Sequence, residues 1–163
     1  MDAKEVIRNA FGTSKMVTDM LMEDFSDAEL LERPVPGANH AAWQLGHLVA
    51  SLNFFGETVR AGSMPPLPDG FADSHGKENA ASDKRSAFLP KARYLELLDV
   101  QRIAMLRLLD ELDDAAMGRA SPEQLREIAP KVADMMELAA THELMHAGQF
   151  SVVRRKLGKP VKF

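Results

Sequence analysis

The sequence predicts an all-α fold, an antiparallel four-helix bundle with one long crossover loop. Three observations carry this. Four long segments space their apolar residues three and four apart. No stretch alternates apolar and polar residues in the period of a strand. Short turn signals join the segments, except for one irregular stretch between the second and the third.

The first helix is expected from about Ala3 to Phe25, with Ile7, Ala10, Phe11, Ser14, Val17, Leu21 and Phe25 on its buried face. "SDAELLERP" then reads as a short helical turn, with Ser26 as cap and Glu29 three residues on, ended before Pro34. The second helix starts near Asn39, a favourable cap, and runs to about Ala61. Trp43, His47, Ala50 and Phe54 share one of its faces. Residues 62–87 hold three prolines and three glycines among small polar residues, and form the irregular crossover.

Helix three runs from about Pro90, suited to a first turn, to Leu112. Leu95, Leu98, Met105, Leu109 and Leu112 make one apolar stripe; Leu97, Val100, Ala104 and Leu108 make another. A helix apolar beyond one stripe is buried on more than one side, and the second stripe is read as a dimer surface. "ASPEQLREIAP" reads as a short helix capped by Ser121. Helix four runs from about Pro130 to Leu157 and stops at Gly158 and Pro160. The whole chain, 1–163, is expected to be a single domain.

Composition narrows the function. Net charge is −4, which argues against nucleic acid as the main partner. Arg154, Arg155, Lys156, Lys159 and Lys162 form a local basic exception, read as cations at a helix C-terminus. No apolar run is long enough to span a membrane, the N-terminus has no signal core, and the expected location is the cytoplasm. The chain has no cysteine. A metal site must therefore use His, Asp or Glu.

Residues 142–146 read HELMH, the H-E-x-x-H pattern of zinc proteases. Such enzymes take a third ligand downstream. The 17 residues after His146 include no Asp, Glu or His, and the extended motif would need Gly and His where Gln149 and Val152 stand. The protease reading fails. Glu143 loses its role as general base and is expected at the surface or in a salt bridge. His142 and His146 nevertheless leave one helix face, flanked by Met135, Leu138, Ala139 and Phe150, close enough to share one divalent ion. A third ligand must come from upstream. Among His40, His47 and His75, His47 lies within a helix on an inward face, beside Gly46. A glycine inside a helix needs a reason, and close approach of two helices is one.

Two segments, "AAWQLGHLVASLNFFGE" (41–57) and "ATHELMHAGQFSVVRRKLGKP" (140–160), resemble the DinB-like (YfiT-related) superfamily, with its W-x-x-x-H helix and its H-x-x-x-H-x-G-Q ending. The resemblance implies a four-helix bundle, a homodimer, and a three-histidine metal site carried over onto His47, His142 and His146. It further implies metal-dependent transfer of low-molecular-weight thiols to small electrophiles.

Three neutral imidazoles leave open positions on an ion, the pattern of catalytic sites. The expected activity is that of a transferase whose metal-activated thiolate attacks an electrophile. A metal-dependent hydrolase and a non-catalytic, stress-associated metal-binding bundle are the alternatives. A non-catalytic site would be closed by a fourth ligand, with Asp134 or His40 as candidates. Zinc or nickel is the expected metal, with iron a further option. No side chain is assigned as catalytic. Gln149 and Arg102 are candidate ligand-orienting residues, each set against a packing or salt-bridge role.

Overall fold

The apolar spacing becomes six helices: α1 (Ala3–Met22), α2 (Ala41–Val59), α3 (Phe71–Ser74), α4 (Lys91–Glu111), α5 (Asp114–Met117) and α6 (Val132–Lys156). The structure is a computed structural model and describes residues 2–162. The described residues hold no β-strand; Ala120 and Lys131 form one isolated bridge. The long helices α1, α2, α4 and α6 pack as a bundle.

Paired contacts set the direction of each helix. Ser14 on α1 donates to the Ala140 carbonyl at 2.5 Å, and Arg154 donates to the Leu21 carbonyl at 2.8 Å, so α1 and α6 run parallel. Lys4 reaches Asp110 and Lys15 reaches Asp99, so α4 runs antiparallel to α1. Asn53 meets Gln101 and Arg60 meets Glu111, so α2 runs parallel to α4. Gln44 meets His146, while Val59 and Met135 line one cleft at the far end, so α2 and α6 are antiparallel.

The core lies between these four. Tyr94, Leu98, Met105, Leu109, Met135, Met136 and Phe150 have no accessible surface. Burial of each such side chain is worth about 1.5–3 kcal/mol. Both apolar stripes of α4 are covered within the chain: Leu97, Ala104 and Leu108 are buried along with Leu98, Met105 and Leu109, and Val100 alone of the second stripe is exposed. That stripe therefore needs no partner chain to cover it.

Several local expectations change. The cap of α2 is His40, whose ring Nδ1 accepts the Trp43 amide at 3.1 Å. Asn39 instead offers its carbonyl to Gln44. Ser26 and Glu29 do exchange hydrogen bonds, but the single 3₁₀ turn Glu29–Leu31 has Ala28 at its N-cap position, with no side-chain cap bond. Ser121 caps nothing; among the described residues its buried hydroxyl has no partner. Residues 62–87 are only partly irregular. They contain α3 and bury Met64, Phe71 and His75 against the bundle.

That packing explains both glycines of α2. A Cβ on Gly46 would stand 1.9 Å from the His75 ring, and one on Gly56 would stand 2.2 Å from the Met64 sulfur. Gly46 thus makes room for a side chain of the connecting segment, where an approach of two helices was expected.

The basic end of the chain is neutralised locally. Arg154 pairs with Asp24, Lys156 with Glu32, Lys159 with Glu29 and Lys162 with Glu23. Four of the five cations thus pair with the acidic turn that follows α1.

Candidate metal centre

Helix α2 supplies one imidazole and α6 supplies two. The antiparallel pairing of these helices brings His47 opposite His142 and His146. One ring nitrogen from each lies within 4.8 Å of the others. Ring centroids are 5.3 Å apart for His47 and His142, 5.4 Å for His47 and His146, and 4.9 Å for His142 and His146. His47 and His142 are half-buried and His146 is buried. Phe54, expected on the inward face with His47, is 49% exposed. His47 therefore sits at the rim of the core face, which leaves one side of the cluster towards solvent.

The tautomer of His146 follows from its neighbours. Gln44 donates its amide N–H to the Asn39 carbonyl at 2.6 Å, which turns its Oε1 towards His146. His146 Nδ1–H donates to that oxygen at 2.8 Å. Its Nε2 is then a bare lone pair, 3.2 Å from His142 Nε2. Two nitrogens on one zinc, each at about 2.0–2.1 Å in a tetrahedral site, stand roughly 3.3 Å apart. The observed separation and the donor set fit a shared divalent ion.

Trp43 steadies the third imidazole. Its indole stacks on His47 at 4.9 Å with the planes 6° apart, and its N–H donates to the Gly76 carbonyl at 3.1 Å. Ser51 Oγ lies 3.5 Å from His47 Nε2.

Burial keeps the cluster neutral. It pulls His47 down to about 4, with help from neighbouring His142, and His146 down to about 3. His142 is lowered by burial as well, against an opposing pull from Glu143. Uncharged imidazoles are the form that binds metals.

The proposed fourth ligands are committed elsewhere. His40 uses Nδ1 as the α2 cap and Nε2 on the Ser82 carbonyl. Asp134 accepts from the Lys131 amide at 2.8 Å. Among the described residues, His47, His142 and His146 alone form such a cluster. Gln149 is half-buried and makes no side-chain hydrogen bond among the described residues. Glu143 is buried, not at the surface, and pairs through both oxygens with Arg102. Arg102 thus bridges α4 to α6, the salt-bridge role that was set against a ligand-orienting one.

Sequence reasoning missed Gln44. A signal existed: it is a lone amide in the apolar run AAWQLGHLVA, one turn before His47.

No curated protein matches the chain significantly. The family profile of the DinB superfamily matches residues 10–150, and the chain belongs to that superfamily.

Proposed function

We propose that this member of the DinB superfamily is a metal-dependent transferase that joins a low-molecular-weight thiol to a small electrophile. His47, His142 and His146 are its metal ligands, and zinc or nickel is its metal. The observation that supports this most is the convergence of three neutral imidazoles without a fourth protein ligand among the described residues. A structural site would be closed; an open one leaves room for a cosubstrate. A divalent ion there supplies Lewis acidity that lets a thiol ionise near neutral pH.

The chain's own part is positional. Gln44 orients His146, and Trp43 holds the His47 ring. In the transfer, the thiol gives its proton to water, its sulfur bonds to the electrophilic carbon, and the bond from that carbon to the leaving group breaks, the leaving group departing with the electron pair. The chain contains no cysteine, so the sulfur comes from the cosubstrate.

The reading extends to a homodimer in the cytoplasm, where thiols stay reduced. Among the described residues, no helix is long and apolar enough to cross a membrane. Sedimentation at high micromolar concentration tests the dimer, which a monomer would remove. The activity is tested by loading metal-free protein with zinc or nickel and following thiol loss with a chloronitroarene. We expect a metal-dependent rate that His47→Ala abolishes. A rate equal to that of metal-free protein contradicts the transferase reading, and ester cleavage without thiol consumption would assign a hydrolase instead.

A further inference from the structure

The cap and first turns of α2 serve two structures at once. Gln44 and His47 belong to the metal cluster, Gln44 through its bond to His146. His40, Trp43 and Gly46 alternate with them along the chain and meet the connecting segment instead. His40 Nε2 lies 2.9 Å from the Ser82 carbonyl, and the Trp43 indole N–H donates to the Gly76 carbonyl at 3.1 Å. The His75 ring fills the space that the missing side chain of Gly46 leaves.

The part of the segment that meets α2 is a small closed unit. Residues 71–79 hold α3 and a 3₁₀ turn, Lys77–Asn79. His75 Nδ1–H donates to the Phe71 carbonyl at 2.8 Å, and the Asn79 side-chain amide donates to the Asp73 carbonyl at 2.9 Å. Phe71 and His75 are buried, whereas residues 72–74 and 77–79 are exposed. A unit with so few buried side chains opens more readily than the helices beneath it.

Trp43 joins this unit to the cluster. It is buried, with the His47 ring stacked on its face at 4.9 Å and the Gly76 carbonyl at its N–H. The indole therefore takes up the position that both contacts favour. A divalent ion on His47 makes that imidazole more positive, and a positive group is attracted to an indole face. The ion thus favours the stacked indole, and the stacked indole presents its N–H to Gly76.

We propose that docking of residues 71–79 and metal binding are coupled through Trp43. The docked unit raises metal affinity, and bound metal holds the unit docked by the same factor, since such coupling is reciprocal. Trp43 is a positioning residue that acts through His47. The proposal rests on the three-histidine metal reading and adds the element that regulates it.

The test is amide hydrogen exchange of the full chain, with and without zinc. The Ser74, His75, Gly76, Asn79 and Ala80 amides bond to carbonyls of residues 70–77, so they exchange when the unit opens. Zinc should slow them about tenfold, within the range usual for coupled sites. The Leu125, Arg126 and Ile128 amides, which bond within the turn before α6, should exchange at the same rate in both states. Trp43→Phe keeps an aromatic ring beside His47 and removes the N–H. It should abolish the zinc-dependent difference at 74–80 and weaken zinc about tenfold by chelator competition, with about one ion still bound at saturation. That variant also leaves a gap in the core, so the wild-type comparison stands as a test without it. Zinc binding with unchanged exchange at 74–80 would overturn the coupling and leave the metal site standing. Equal slowing at 74–80 and 125–128 would overturn it too, because it reports stabilisation of the whole fold. Slowing that persists in Trp43→Phe would remove Trp43 as the link. A wild type that binds no zinc would overturn the metal reading and the coupling together.

Discussion

The five histidines divide into two groups that differ in what their ring nitrogens face. His40 and His75 are spent on the fold. His40 caps α2 through Nδ1 and reaches the Ser82 carbonyl through Nε2. His75 Nδ1–H donates to the Phe71 carbonyl at 2.8 Å, and its Nε2 accepts from the Tyr94 hydroxyl at 2.7 Å. In the cluster, by contrast, the nitrogens of His47, His142 and His146 turn towards one another. Lone pairs crowded together in a buried site are unfavourable unless something positive sits between them. Burial alone does not separate the groups, since His40 and His75 are the more buried. The commitment of the nitrogens does.

Variants can break this contrast, and the largest effect should come from the cluster. His142→Ala or His146→Ala leaves two ligands, and zinc affinity by chelator competition should fall by more than the roughly 100-fold that outer partners command. His75→Ala should act oppositely. It opens a cavity against Gly46 and takes the acceptor from the Tyr94 O–H, whose oxygen keeps only the Leu89 amide, costing about 3 kcal/mol in urea unfolding, with metal content unchanged. Gln44→Leu removes the acceptor that sets the His146 tautomer, so metal affinity should drop about 10- to 100-fold while Gln44→Glu retains it.

Gly46→Ala forces a methyl into the His75 ring. It should destabilise by about 1–3 kcal/mol, despite the usual gain of alanine in a helix. The smallest effect is acid sensitivity of the metal-free protein. All five imidazoles are lowered from 6.5, chiefly by burial, His47 to about 4. The unfolded chain then holds more protons between about pH 6.5 and 4, so stability falls as pH drops through that window. The melting temperature should fall by roughly 5 °C or more. A flat profile would mean that the imidazoles are better solvated than their burial implies.

Much of this was legible from local pattern. Helix periodicity placed the four long helices, and the i, i+4 spacing of His142 and His146 put both on one inward face. Gly46 correctly flagged a crowded spot, although the intruder is His75 from the connecting segment. What the sequence did not reveal depends on distant partners. Nothing near Arg102 announces Glu143, and nothing near Ser121 predicts that its hydroxyl stays unbonded. Phe54 shares a helical face with His47, yet it is exposed.

Metal content by mass spectrometry, on untagged wild type, His47→Ala and His75→Ala purified alike, tests the central claim most directly. About one divalent ion per chain in wild type and His75→Ala, and close to none in His47→Ala, is the result predicted. No metal in any of the three, even after reconstitution with zinc and with nickel, would contradict it and leave the cluster as three polar residues of the core.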